Sequence, residues 1–162
     1  MDILLINENN YAAVAKIYLD GIATGHATFQ TEAPEWDAWN KSHLSFCRLA
    51  VYEEREMLGW AALSPVSSRC VYGGVAEVSI YVASSARGKG IGKILFAQLI
   101  KESEENGLWT LQSGIFPENI SSIKLHEKMG FRKIGYRERI GKMNDVWRDN
   151  IIMERRSKIV GV

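Results

Sequence analysis

Apolar residues recur at helical spacing in the middle of the chain. Ile91, Ile94, Leu95 and Leu99 fall on one face, with Lys93, Lys101, Glu102 and Glu105 on the other, and Asn106-Gly107 supplies a stop. Upstream, Ala76-Glu77-Val78-Ser79-Ile80-Tyr81-Val82 reads as a strand. The same reading applied along the chain predicts a short buried strand at Ile3–Ile6. A helix capped by Asn9 or Asn10 follows, with Tyr11, Val14, Ile17, Tyr18 and Ile22 as its buried stripe. Pro34 opens a second helix, on which Trp36 and Trp39 share a face. Arg48–Tyr52 and Met57–Ser64 read as a hairpin around Glu53-Glu54-Arg55-Glu56, and Pro65–Gly74 as irregular. Trp109–Phe116 is a further strand. A helix from Asn119 or Ser121 runs through Lys128 and ends at Gly130. Phe131–Arg139 and Val146–Met153 close the order, joined by a turn within Gly141–Asp145. Trp147 is expected in the core, and the basic tail from Arg155 is expected to fray.

Hairpins mixed with strand–helix–strand units predict an α+β fold, one mixed sheet with helices on both faces. The 162 residues suit a single domain with a real core, and a composition 46% hydrophobic and 24% charged is ordinary for a globular protein. A net charge of +1 gives no general attraction to nucleic acid or an anionic membrane. The amino terminus is too short and too acidic for a signal peptide, and no apolar run approaches membrane-spanning length. Cys47 and Cys70 are the only cysteines, which does not suggest a disulfide scaffold and fits a reducing cytoplasm. His26 and His43 have no partners in metal-ligand spacing, so no metal is expected.

The chemistry concentrates at Arg87-Gly88-Lys89-Gly90-Ile91-Gly92, between the central strand and its helix. The first N–H groups of a helix lack internal partners, and the helix dipole favours an anion there. Arg87, Lys89 and Lys93 add positive charge, so a phosphate-bearing ligand is expected rather than a loop that needs glycine only to turn. A dinucleotide fingerprint would need glycine where Lys93 stands. A nucleotide P-loop would need four residues between its glycines and Ser or Thr where Ile94 stands.

Arg-x-x-Gly-x-Gly between strand and helix resembles the acyl-coenzyme-A loop of the GNAT superfamily of N-acetyltransferases. Asn119 through Gly130-Phe131, one strand later, is similar to that family's second coenzyme-A motif. Glu77–Val82, Thr28-Phe29-Gln30-Thr31-Glu32 and Leu125-His126-Glu127 narrow the resemblance to the phosphinothricin N-acetyltransferase branch, over nearly the whole chain. The resemblance implies two central parallel strands that splay apart, and acetyl-CoA as co-substrate. Its diphosphate would lie on the amides of Gly88–Gly92, near Arg87, Lys89 and Lys93, with Asn119 and Ser121 also holding the cofactor. Ile80, Tyr81 and Val82 would line the pantetheine arm, with the Val82 N–H on the thioester oxygen. Glu77 would be the base that deprotonates the acceptor amine, against the plainer reading of a salt-bridged strand carboxylate. His126 stands where many members carry a tyrosine acid; it is either that acid or a packed helix residue.

The branch acetylates α-amines of phosphinothricin, methionine sulfoximine or sulfone and related analogues, and it is commonly dimeric. A small-molecule amine and a homodimer are therefore expected. Phe29, Thr31, Glu32, Arg69 and Tyr72 are the candidate substrate residues, and Trp147 and Arg148 could close the pocket. The stretch Pro65–Gly74 departs from the branch pattern that holds the substrate's acidic groups. Other acceptors, namely a protein N-terminus, a lysine or a polyamine, and a non-catalytic acyl-CoA sensor, stay open.

Overall fold

The computed structural model describes Met1–Val162. Strand β1 (Asp2–Leu5) pairs antiparallel with β2 (Leu49–Glu53), β2 with β3 (Glu56–Pro65), and β3 with β4 (Val75–Val82). β4 pairs in parallel with β5 (Thr110–Ile115). β7 (Val146–Arg156) lies antiparallel to β5, and β6 (Arg132–Met143) closes on β7. The result is one mixed sheet of seven strands in the order β1-β2-β3-β4-β5-β7-β6.

Helices α1 (Tyr11–Ala23), α2 (Trp36–Ser42), α3 (Ile91–Glu105) and α4 (Ile120–Lys128) cover the sheet. Successive strand residues face opposite sides, and β3 shows what each side meets. Gly59 lies against Ile91 and Leu95 of α3, whereas Trp60 meets Tyr18 of α1 and Trp39 of α2. Helices therefore stand on both faces, as the element order predicted. Trp60, Phe96, Leu95 and Leu99 are among the side chains buried in the shared core.

The feature that positions the site is the short parallel pairing. β4 and β5 are in register only from Val75↔Thr110 to Glu77↔Gln112. Beyond Glu77, β4 stays with β3 as far as Gly59↔Val82, and β5 stays with β7 as far as Ile115↔Ile151. Each strand follows its own half of a twisted sheet, so a gap opens between them. The expected splay is present.

Three expectations need correcting. The first strand is not buried: it is an edge strand, Leu5 is 66% exposed, and Ile6, one residue past its end, is the buried member. Trp147 is 56% exposed, because the β6–β7 hairpin extends past the core; its ring carries Lys142 at 5.8 Å. The tail does not fray at Arg155. Arg155 and Ser157 donate to Glu104 Oε1 at 3.0 and 2.9 Å, and Arg156 donates to the carbonyls of Val160 and Gly161 at 2.8 and 2.7 Å.

Candidate active site

A slot of about 1620 Å³ occupies the gap and continues over both faces. At one end lies the glycine loop. Gly88 and Gly90 have φ of +77° and +78°, values that glycine adopts without strain, and no protein atom would block a Cβ at either. Gly90 is the N-cap of α3, with no side-chain cap. The first helical bond is Ile94 N–H to Gly90 O, so the N–H groups of Ile91, Gly92 and Lys93 donate to nothing in the protein. Arg87 and Lys93 line this end; the Lys89 side chain does not. Gly92 serves packing instead, since a Cβ there would sit 2.6 Å from Leu125 Cδ2. It lets α4 close on α3.

Ala83 N–H donates to Leu58 O at 2.8 Å, toward β3. Strand alternation then turns the N–H groups of Ile80 and Val82 the other way, into the gap that β5 has left. Ile80, Tyr81 and Val82 all line the slot, and Tyr81 also stacks on Trp60 at 5.0 Å. Asn119 and Ser121 line it too. Asn119 caps α4, accepting from Ser122 N–H at 3.3 Å, and its Nδ2 donates to His26 O at 3.2 Å. The start of α4 is thereby tied to the loop after α1.

Glu77 sits at the last position where β4 pairs with β5, where the slot opens. It forms no ion pair, so the plainer reading of a salt-bridged carboxylate has no partner for it. Glu77 stays exposed within the slot, and the slot walls shield its carboxyl only in part. This partial desolvation raises its pKa above the ordinary glutamate value, opposed by the charge of Arg137.

His126 is 2% exposed, with its ring against Phe96 and Phe131. Nδ1 lies 2.7 Å from Ser122 O, and Nε2 lies 2.8 Å from Ser113 Oγ. A carbonyl only accepts, so Nδ1 carries the proton and Nε2 accepts the Ser113 hydroxyl. Burial pushes the pKa down, against the backbone hydrogen bond to Ser122. A neutral ring of this tautomer has no proton on Nε2 to donate.

Thr28, Phe29, Gln30 and Glu32 also line the slot. Phe29 packs edge-on to Phe116 at 4.7 Å and lies against Gly141. Thr31, Arg69 and Tyr72 do not line the slot. Arg69 lies over the Tyr72 ring at 5.7 Å, at the exposed turn Cys70–Tyr72 that precedes β4. Arg148 is an anchor for the loop after α1: it donates to Gly25 O at 2.8 Å and lies over Phe116 at 4.1 Å. Gln112, Arg137 and Asn150 line the slot near Glu77, and the strand pattern alone did not single them out. No group of three or more His, Cys, Asp or Glu side chains is placed to hold a metal ion, and no helix is long and apolar enough to cross a membrane.

The acetyltransferase (GNAT) family is matched by residues 9–131. A phosphinothricin N-acetyltransferase of Streptomyces coelicolor is 38% identical over 96 residues, which are 59% of this chain and 56% of that one. An L-methionine sulfoximine/L-methionine sulfone acetyltransferase of Salmonella typhimurium is 29% identical over 95% of this chain and 93% of its own. Among solved structures, a GNAT superfamily phosphinothricin acetyltransferase from Sinorhizobium meliloti, in complex with acetyl-CoA, superposes with a TM-score of 0.88 at 26% identity. That match covers 99% of this chain and 90% of the other. A sheet that parts at Glu77, a helix start with free amides and this set of likenesses agree: the chain belongs to the acetyltransferase (GNAT) family and is an acetyl-CoA-dependent N-acetyltransferase.

Proposed function

We propose that the chain, acting as one acyltransferase domain over residues 1–162, acetylates the α-amine of a small amino acid or analogue of the phosphinothricin or methionine sulfoximine/sulfone type. The observation that carries this reading is the unpaired Glu77 carboxyl at the mouth of the gap, with its affinity for a proton raised by its surroundings. The names of the two relatives and the solved structure support the substrate class.

In this reading the amides at Gly88–Gly92, with Arg87 and Lys93, hold the diphosphate of acetyl-CoA. Asn119 and Ser121 flank it, and the main chain of Ile80–Val82 receives the pantetheine arm. The amine nitrogen attacks the thioester carbon and Glu77 takes its proton. The Val82 N–H holds the carbonyl oxygen as it gains charge. The carbon–sulfur bond then breaks, and coenzyme A leaves as a thiolate that takes up a proton. For His126, the tautomer and burial described above support the packed role over the acid role.

A homodimer belongs to this reading. The exposed apolar side chains of Ile134, Tyr136, Val146 and Trp147 on β6 and β7 support a second copy as their cover. Light scattering giving a molecule of twice the chain mass supports it; a monomer opposes it.

The test of function is a thiol-release screen with acetyl-CoA. Its acceptors are amino acids, their sulfoximine, sulfone and phosphinate analogues, peptide N-termini, lysine and polyamines. Turnover confined to the amino acids and analogues is expected. Preference for peptides or polyamines would replace the acceptor class. Coenzyme A binding with no thiol release from any amine would make the chain a sensor.

A further inference from the structure

We propose that Arg137 is the recognition group for the acceptor's α-carboxylate. Lining the same slot as Glu77, it would read an amino acid by its carboxylate while the amine meets the base. The inference rests on the amino-acid reading above and adds the residue that enforces it.

The slot is lined by four Lys or Arg residues: Arg87, Lys93, Lys128 and Arg137. Arg87 and Lys93 stand at the glycine loop, and Lys128 ends α4. Arg137 alone comes from the far half of the sheet. It pairs with Asn150 across β6 and β7, and both residues line the slot.

The backbone is bent at this point. The register passes from Arg137↔Asn150 to Gly141↔Arg148, so residues 138–140 of β6 oppose the single residue 149 of β7. Asp149 pins this bulge. Its carboxylate accepts from the Arg139 N–H at 2.7 Å, at a residue with φ of +46°, and from the Tyr136 hydroxyl. A bulge re-aims the side chains beside it. Here it brings Ile140 and Gly141 to the slot along with Arg137.

The carboxylates flanking it on the β6–β7 hairpin are engaged elsewhere: Asp149 in the bulge, and Glu138 with Arg139 at 3.3 Å. Arg137 itself forms no ion pair and no side-chain hydrogen bond. Its five donors stay available for a ligand. Its charge reaches Glu77, where it works against the rise that burial causes. An α-amino acid carries its amine and carboxylate on one carbon, so a base and a guanidinium that line one slot, the charge of one felt at the other, match it. A guanidinium holds a carboxylate through two parallel hydrogen bonds, which a simple amine cannot supply. Arg69 and Tyr72, the sequence-based candidates for this task, lie outside the slot.

The test uses two acceptors that differ only in the carboxylate: methionine sulfone and the primary amine with the same sulfone side chain. Thiol release is measured with the wild type, Arg137→Ala and Arg137→Lys, at about pH 8, above the ordinary titration of a carboxylate. The expected result is a ratio of kcat/KM, amino acid over amine, that falls about 10- to 100-fold in Arg137→Ala, as for loss of a charge-assisted hydrogen bond. The fall lies in KM for the amino acid, and Arg137→Lys recovers part of it. A ratio that Arg137→Ala leaves unmoved overturns the proposal and spares the amino-acid reading. A wild type that turns over no amino acid overturns both.

Discussion

The hydroxyl of Ser113 donates to Nε2 of His126 across 2.8 Å, inside the core between β5 and α4. The bond fixes what each group can do. Ser113→Ala leaves the Nε2 lone pair buried with no donor, a loss of about 1–3 kcal/mol. Urea unfolding of this variant should show that loss. An unchanged midpoint would mean that water replaces the serine.

Burial lowers the pKa of His126, so the folded protein resists a proton that the unfolded chain accepts. The folded state is therefore at full strength above the ordinary histidine value. It weakens as pH falls through about 6.5, until the folded-state pKa is passed. His43, half-buried and stacked on Trp39, acts in the same direction. Unfolding free energy should fall between about pH 7.5 and about pH 5.5, and less so in His126→Gln. An equal fall in the variant would take His126 out of the account.

Gly90 holds φ of +78° with open space where a Cβ would stand. Gly90→Ala meets no clash, and its cost is conformational, about 1–2 kcal/mol. Relief of that strain would turn the amides at the start of α3. Calorimetry should therefore find weaker acetyl-CoA binding, while circular dichroism stays native. Native affinity would mean that these amides do not bind the cofactor.

Glu104 accepts from both Arg155 and Ser157 and is largely shielded from water. Glu104→Ala leaves both donors without it and should cost about 1–3 kcal/mol. Limited proteolysis should then reach the tail beyond Arg156 before the rest of the chain. A tail as resistant as in the wild type would contradict the anchor.

What the sequence disclosed and what it concealed divide along chain distance. The β4–loop–α3 unit and the cap of α4 were legible because period, glycine and cap lie within a few residues of one another. The parting of β4 from β5 was not visible in periodicity; it came from the family resemblance, and depends on which partners, β3 and β7, hold each strand. The anchor of Arg155 is 51 residues away at Glu104, so a basic tail read as loose. Trp147 and the first strand looked buried because a hydrophobic residue does not reveal that its strand lies at an edge or beyond the core. Arg137 was indistinguishable from other surface arginines, since the bulge that turns it rests on Asp149 of the opposing strand. Arg69 stands just before the central strand, but closeness in sequence to Glu77 does not bring it to the slot.

Glu77→Gln keeps the shape of the side chain and removes the basic site. With acetyl-CoA and the best acceptor from the amine screen, stopped-flow thiol release should show kcat reduced about 100-fold or more, in the range of lost general-base catalysis. Acetyl-CoA affinity by calorimetry should be unchanged. Turnover at the wild-type rate would contradict the role given to the carboxylate at the parting of β4 and β5.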